Sequence, residues 1–188
     1  LKHCIDGPIV LFAKGNSTLN PRRPISIVGT RSLSAHGFAF CRALVEGLAL
    51  SKATIISGLA YGADIVAHKT AFENGMETIA CLGHGLDRIY PPDHTQIANE
   101  LQDNGALLTE YWSKTASMNK SFVRRNRIIA GLSQATVVIE SGAKGGSLIT
   151  AEMALQYNRD VFAVPGRPTD RNSLGTNRLI MSQKAQMI

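Results

Sequence analysis

The sequence predicts an α/β domain: a doubly wound, mostly parallel sheet with helices on both faces. Three observations carry that expectation. Short runs rich in β-branched residues recur along the chain, each nearly continuous in apolar character, as strands buried on both faces require. Between them lie stretches whose apolar residues fall at helical spacing. Strand, helix and strand alternate repeatedly, which implies parallel neighbours joined by right-handed crossovers.

The elements follow in order. A first apolar run, Ile9–Ala13, is followed by Lys14-Gly15-Asn16. It is expected to add a strand to the sheet from an N-terminal extension over residues 1–24, which enters the main domain (residues 25–188) through Pro21 and Pro24. Core strands are expected at Ile25–Gly29, Thr54–Ser57, Glu77–Leu82, Ala106–Glu110, Ala135–Glu140 and Asp160–Val164. The clearest helix is Ser34–Leu50, capped by Ser34, with Phe38, Cys41, Leu44, Val45 and Leu48 on one stripe. The next puts Ile65 and Phe72 on one face and stops at Asn74-Gly75. Asp93 is expected to cap a helix burying Ile97 and Leu101; further helices are expected over 121–132 and 146–157, and a weak one over Asn177–Ala185.

Composition narrows the function classes. Of 188 residues, 44% are hydrophobic and 18% charged, enough for a packed core and contrary to global disorder. No apolar run approaches the roughly 18 residues that cross a bilayer, and no signal-peptide layout opens the chain, so no membrane partner is expected. Cys4, Cys41 and Cys81 are far apart and odd in number, which argues against a disulfide scaffold or structural zinc and for a reducing, cytoplasmic setting. The net charge of +6 permits a polyanionic partner. The first residue is leucine, which suggests an excerpt of a longer protein.

The glycines point to a site. In an open α/β sheet, ligands bind beyond the carboxyl ends of the strands. There the chain reads Gly29-Thr30-Arg31-Ser32, Ser57-Gly58-Leu59-Ala60-Tyr61-Gly62-Ala63-Asp64, Gly83-His84-Gly85-Leu86-Asp87, and Ser141-Gly142-Ala143-Lys144-Gly145-Gly146-Ser147. Four such loops, each opening a helix, are expected to form a rim of unpaired backbone donors at positive helix ends, suited to phosphate. Neither G-x-x-x-x-G-K-[ST] nor a complete dinucleotide fingerprint is present, and no nucleotide cofactor is expected.

Arg31 follows the first turn, Lys144 stands in the most glycine-rich loop, and Lys120, Arg124, Arg125 and Arg127 cluster around Phe122. Arginines beside an aromatic suit a single strand, with guanidinium to phosphate and ring to base. Catalytic patterns are sparse. The five histidines show no metal-ligand spacing, and no G-x-S-x-G elbow occurs. Glu110 and Glu140 end strands near the rim and are candidate bases or partners of a rim arginine.

Five motifs taken in order resemble the DprA/Smf family of bacterial DNA-processing proteins. They are Val28-Gly29-Thr30-Arg31-Ser32, the loop Ser57–Asp64, Gly83–Asp87 with Tyr90-Pro91, Arg125-Asn126-Arg127-Ile128-Ile129-Ala130-Gly131, and Gly146-Ser147-Leu148-Ile149-Thr150-Ala151. The resemblance runs from about Pro8 to the end. It implies an extended Rossmann-like domain that binds single-stranded DNA without catalysis and forms a homodimer. It also implies protection of incoming DNA and help in loading a RecA-type recombinase during natural transformation.

By position in the motifs, the resemblance puts Gly29, Thr30, Arg31 and Ser32 in a phosphate-contacting turn. Ser57, Gly58, Gly83, Gly85, Lys144, Gly145, Gly146 and Ser147 would supply pocket amides, and Phe122, Arg124, Asn126 and Arg127 would line the strand's path. Lys120 to Arg124 departs from the Phe-Pro type sequence of the family. Two other readings stand beside this one. The first is a nucleotide-cleaving phosphoribohydrolase of the lysine-decarboxylase-like (LOG) type, for which Gly145–Glu152 is an imperfect match to G-G-x-G-T-x-x-E. The second is a domain serving mainly as a protein-interaction platform.

Overall fold

The structure is a computed structural model and describes residues 1–115 and 119–188. Among the described residues eight strands, β1 (Phe12–Gly15), β2 (Pro24–Val28), β3 (Thr54–Ser57), β4 (Thr78–Cys81), β5 (Gly105–Thr109), β6 (Ala135–Val138), β7 (Asp160–Ala163) and β8 (Gln186–Met187), form one sheet in the order β1-β5-β4-β3-β2-β6-β7-β8. Among the described residues only β1 runs antiparallel, pairing Phe12 with Thr109 on β5; the other pairs are parallel. From β2 the chain winds one way through β3, β4 and β5, then returns to β6 on the other side of β2. The switch point therefore lies between β2 and β6, where an open sheet leaves a crevice.

Alternate residues of the strands feed cores on opposite faces. Ile27, Ile55 and Val137 pack with Cys41 and Val45 of α1 (Ala35–Ala49) and with Ala67 and Ala71 of α2 (Ala63–Glu73). Val28, Ile56, Ile79 and Val138 pack on the other face. Their partners there are Ile128 and Ile129 of α4 (Asn119–Leu132), Ala151 and Ala154 of α5 (Gly146–Gln156), and Leu179 of α6 (Leu174–Met181). Leu82, Leu107, Ile97 and Leu101 form a third cluster beside the short α3 (Thr95–Glu100). Among the described residues no helix is long and apolar enough to cross a membrane.

Most expected elements recur within a residue or two, and the departures have local causes. Ser34 caps α1 by accepting from the Gly37 amide, but Phe38 is 47% exposed and does not belong to the buried stripe. Phe72 likewise lies at the surface. Asp93 does not cap α3: a 3-10 turn over Pro92–His94 precedes that helix, and Asp93 accepts from the Tyr61 hydroxyl instead, at 2.7 Å. The last helix starts earlier than expected, at Leu174, and the chain then adds β8 along β7.

The interior also sets a pH dependence. His68 is fully buried with Nδ1 2.7 Å from the Thr78 hydroxyl, and desolvation lowers its pKa from 6.5 to about 3. The unfolded chain takes up this proton near pH 6.5 and the folded chain only near 3. Stability is therefore full above about pH 6.5 and falls across that window by about 1.4 kcal/mol per pH unit. Urea unfolding at about pH 5 and about pH 7.5 measures the loss, and His68→Leu is expected to flatten the slope.

Candidate nucleic-acid interface

Gly29 begins the turn after β2 because α2 leaves it no room: a Cβ there would lie 2.7 Å from that of Ala63. The turn then carries Thr30, whose amide donates to the Glu140 carbonyl at 2.7 Å and whose carbonyl accepts from the Ala63 amide at 3.2 Å. These two bonds lash the β2 turn to the end of β6 and to the start of α2. Arg31 and Ser32 project beyond it, both exposed. Ser32 is tied from outside, its carbonyl accepting from Asn172 Nδ2 at 2.9 Å.

Opposite lies the loop after β6. Ser141 is buried, Ser147 Oγ donates to Ser141 Oγ at 2.9 Å, and Gly175 donates its amide to the Ser141 carbonyl at 2.8 Å. Gly145 is the N-cap of α5 and has no side chain to satisfy the first-turn donors. Among the described residues the amides of Gly146 and Ser147 have no partner, and a Cβ on Gly146 would meet nothing within 4 Å. Between the two loops is a hollow of about 370 Å³, lined by Gly29, Thr30, Arg31, Phe122, Asn126, Gly142, Gly145, Gly146 and Ser147 together with Asp64 and Arg125.

Its floor is charged. Asp64 Oδ2 accepts from the amides of Gly58 at 3.1 Å and Ala60 at 3.3 Å. Arg125 Nη1 donates to the Gly58 carbonyl at 2.8 Å and to the Cys81 carbonyl. One peptide neighbourhood thus holds an acid on its donor side and a cation on its acceptor side. Burial raises the Asp64 pKa, and the Arg125 charge opposes that rise; burial lowers that of Arg125, and Asp64 opposes it in turn. Burial also pushes the thiols of Cys41 and Cys81 up to about 12, which leaves them unreactive.

Beside the hollow is a narrower cleft lined by Arg31, Gly58, Tyr61, Tyr90, Phe122 and Arg125. The rings of Tyr90 and Phe122 lie 5.5 Å apart, and Tyr61 and Tyr90 are exposed. Gly83 makes room for Phe122, since a Cβ there would lie 2.8 Å from the ring.

The expected rim of open donors is therefore only partly present. At α1 the Ser34 amide donates to Glu140 Oε2 at 3.0 Å, and the Ser34 hydroxyl, which caps Gly37, donates to Glu140 Oε1. At α2 the Thr30 carbonyl takes the Ala63 amide. Ser57 is buried and donates its hydroxyl to the Ile27 carbonyl at 2.6 Å, and the Gly58 amide is spent on Asp64. Gly83 and Gly85 are buried in packing, the latter against Trp112 and Asp87. The start of α5 stays open; at α1 the Ala35 and His36 amides also have no partner among the described residues, but there the Glu140 carboxylate sits against the first turn.

The arginines also sort differently. Arg127 is buried and pairs with Glu110, donating besides to the Asp6 carbonyl at 2.6 Å. Arg124 is exposed with Nε 3.6 Å from Glu110. Neither lines the hollow; Glu110 draws both away from it. Lys144 stands exposed beside the hollow without lining it. Arg125 of the expected cluster and Asp64, Ser141 and Gly142 of the expected loops line it instead, although none of the four was assigned a contact by position in the motifs. For Arg125 a signal existed: Ile128, Ile129 and Leu132 mark the packed face of α4, and Arg125 lies one turn before them on that face.

Glu152, the acid that the phosphoribohydrolase reading needs, is an exposed residue of α5 paired with Lys184 at 3.1 Å and does not line the hollow. Among the described residues no group of three or more histidine, cysteine or acidic side chains is placed to hold a metal.

Comparison with known proteins gives a consistent set of likenesses. The sequence model of the family DNA recombination-mediator protein A matches residues 1–188. DNA processing protein DprA of Streptococcus pneumoniae is 39% identical over 180 residues, covering 96% of this chain and 64% of that protein. The Bacillus subtilis DprA is 40% identical over 181 residues, covering 96% and 61%. The chain thus spans about three-fifths of the length of either relative. The solved S. pneumoniae DprA superposes with a TM-score of 0.93 at 38% identity over 100% of this chain and 65% of that one. DNA processing protein A from Helicobacter pylori, described for its single-stranded DNA binding mode, superposes at 0.91 with 31% identity, covering 99% and 85%. A molybdenum cofactor carrier protein from Chlamydomonas reinhardtii shares the fold alone, at 0.59 and 15% identity over 88% of each chain.

Proposed function

The chain belongs to the DNA recombination-mediator protein A (DprA/Smf) family, and from that premise we propose that its hollow grips the backbone of single-stranded DNA. One observation carries the reading. The unpartnered amides of Gly146 and Ser147, at the positive end of an 11-residue helix, line the same hollow as Arg31. A phosphate seated there meets backbone donors on one side and a guanidinium on the other. The aromatic cleft of Tyr61, Tyr90 and Phe122 adjoins it and offers ring faces to unstacked bases, while backbone contacts leave the sequence unread.

The acids nearest the hollow are engaged, Asp64 by two amides and Glu140 by Ser34, which favours binding over catalysis. Arg31→Ala is expected to weaken binding of a labelled oligothymidylate about tenfold at low salt. It should also reduce the slope of log K against log salt by about 0.7. Fluorescence anisotropy across a salt series checks both, and an unchanged slope would remove Arg31 from the contact.

The strand held in this way is one to be protected during natural transformation and handed to a RecA-type recombinase, and the protein works as a homodimer in the cytoplasm. Supporting a second copy, Leu174, Met181 and Met187 expose apolar surface near the outer edge of the sheet, where β8 pairs only with β7 among the described residues. Light scattering at twice the chain mass is the expected result; the mass of one chain would overturn the dimer. Oligonucleotide-dependent stimulation of recombinase filament formation tests the handover.

A further inference from the structure

In doubly wound folds the first strand of the parallel set leads into a helix whose N-terminus receives the phosphates of a free nucleotide. Here that strand is β2 and that helix α1, yet none of Ser34 to Gly37 lines the hollow. The reason is an internal acid. Glu140, 4% exposed at the end of β6, reaches across the switch point to the first turn of α1. One carboxylate oxygen accepts from the Ser34 amide at 3.0 Å and the other from the Ser34 hydroxyl, which in turn accepts from the Gly37 amide at 3.0 Å. The carboxylate lies so close to the helix that a Cβ on Gly37 would be 2.6 Å from its carbon, so position 37 must be glycine to admit it.

We infer that Glu140 is a built-in anion at the usual nucleotide-phosphate position, and that it makes the start of α1 reject free nucleotides while leaving the start of α5 open. The inference rests on the single-strand reading for the purpose of the device but not for its chemistry. A phosphate approaching α1 from the end of β6 meets a like charge and finds the Ser34 and Gly37 donors already engaged. At α5 the acid of the hollow, Asp64, is instead engaged by the Gly58 and Ala60 amides and opposed by the Arg125 charge. A domain that must hold a polymer among abundant free nucleotides gains selectivity in this way, because a diphosphate cannot anchor where such folds normally place it. Glu140 is thus a specificity-determining residue.

The test is an ADP titration of ¹⁵N-labelled protein followed at the amides of Ser34, Gly37, Gly146 and Ser147, with wild type, Glu140→Ala and Glu140→Gln. In the wild type, ADP is expected to leave the Ser34 and Gly37 amides unmoved. In Glu140→Ala it should shift them, with affinity at least about tenfold above wild type. Glu140→Gln, which removes the charge but keeps the shape, is expected to fall between. Wild-type shifts at Ser34 and Gly37 at similar affinity would overturn the inference, and that arm needs no variant to fold. So would a folded Glu140→Ala that gains no ADP binding. An oligothymidylate titration of the wild type reads the start of α5 separately. Its failure would remove the single-strand reading and leave the ADP comparison standing.

Discussion

Gly146→Asp is expected to stabilise the protein slightly while abolishing most of its affinity for single-stranded DNA. Gly146 is the first residue of α5, its backbone is not in the left-handed region, and an added side chain meets open space, so the fold admits the substitution. An acid in the first turn interacts favourably with the helix dipole, by about 0.3–1 kcal/mol. The same carboxylate occupies the position proposed for a phosphate and repels it, and a loss of at least about tenfold in affinity is expected from that repulsion together with the loss of the open donors. Thermal melting and oligonucleotide anisotropy on one preparation measure the two effects. Opposite signs support the phosphate seat at α5, whereas undiminished binding would place the DNA elsewhere.

The second large effect is on stability. Arg125→Met removes the buried cation that opposes the desolvation of Asp64 and leaves the Gly58 and Cys81 carbonyls without their donor. Uncompensated buried charges of this kind cost about 3–5 kcal/mol. For a chain of this length the melting midpoint should drop by roughly 6–20 °C. Because Asp64 and Arg125 act on the same peptide neighbourhood, Asp64→Asn combined with Arg125→Met is expected to cost less than the sum of the two single changes. Strict additivity in calorimetry would show that the two are independent.

The sheet and the strand-end loops were legible because each is written locally. A run such as Thr54-Ile55-Ile56-Ser57 can be buried on both faces whatever surrounds it, and Asn74-Gly75 stops a helix by its own backbone preferences. The occupancy of the helix ends was not legible. What fills the start of α1 is Glu140, 106 positions from Ser34, and what fills the start of α2 is a carbonyl of the β2 turn. Glycine content marks where donors can be exposed, but only the folded chain decides which stay exposed.

How the arginines divide between the hollow and Glu110 was not legible for a related reason. Arg124-Arg125-Asn126-Arg127 has no polarity pattern of its own, and its phase on α4 is fixed by Ile128 and Ile129, which turn Arg125 toward the hollow's floor and Arg127 toward Glu110. The pair β7–β8 was also missed, since a strand of two residues lies below any periodicity.

The bonds from Asn172 to Ser32 and from Gly175 to Ser141 join the segment after β7 to both walls of the hollow. During translation those struts leave the ribosome after β1 to β7 have already emerged. A nascent domain therefore lays down seven of its strands before it completes the walls of the hollow.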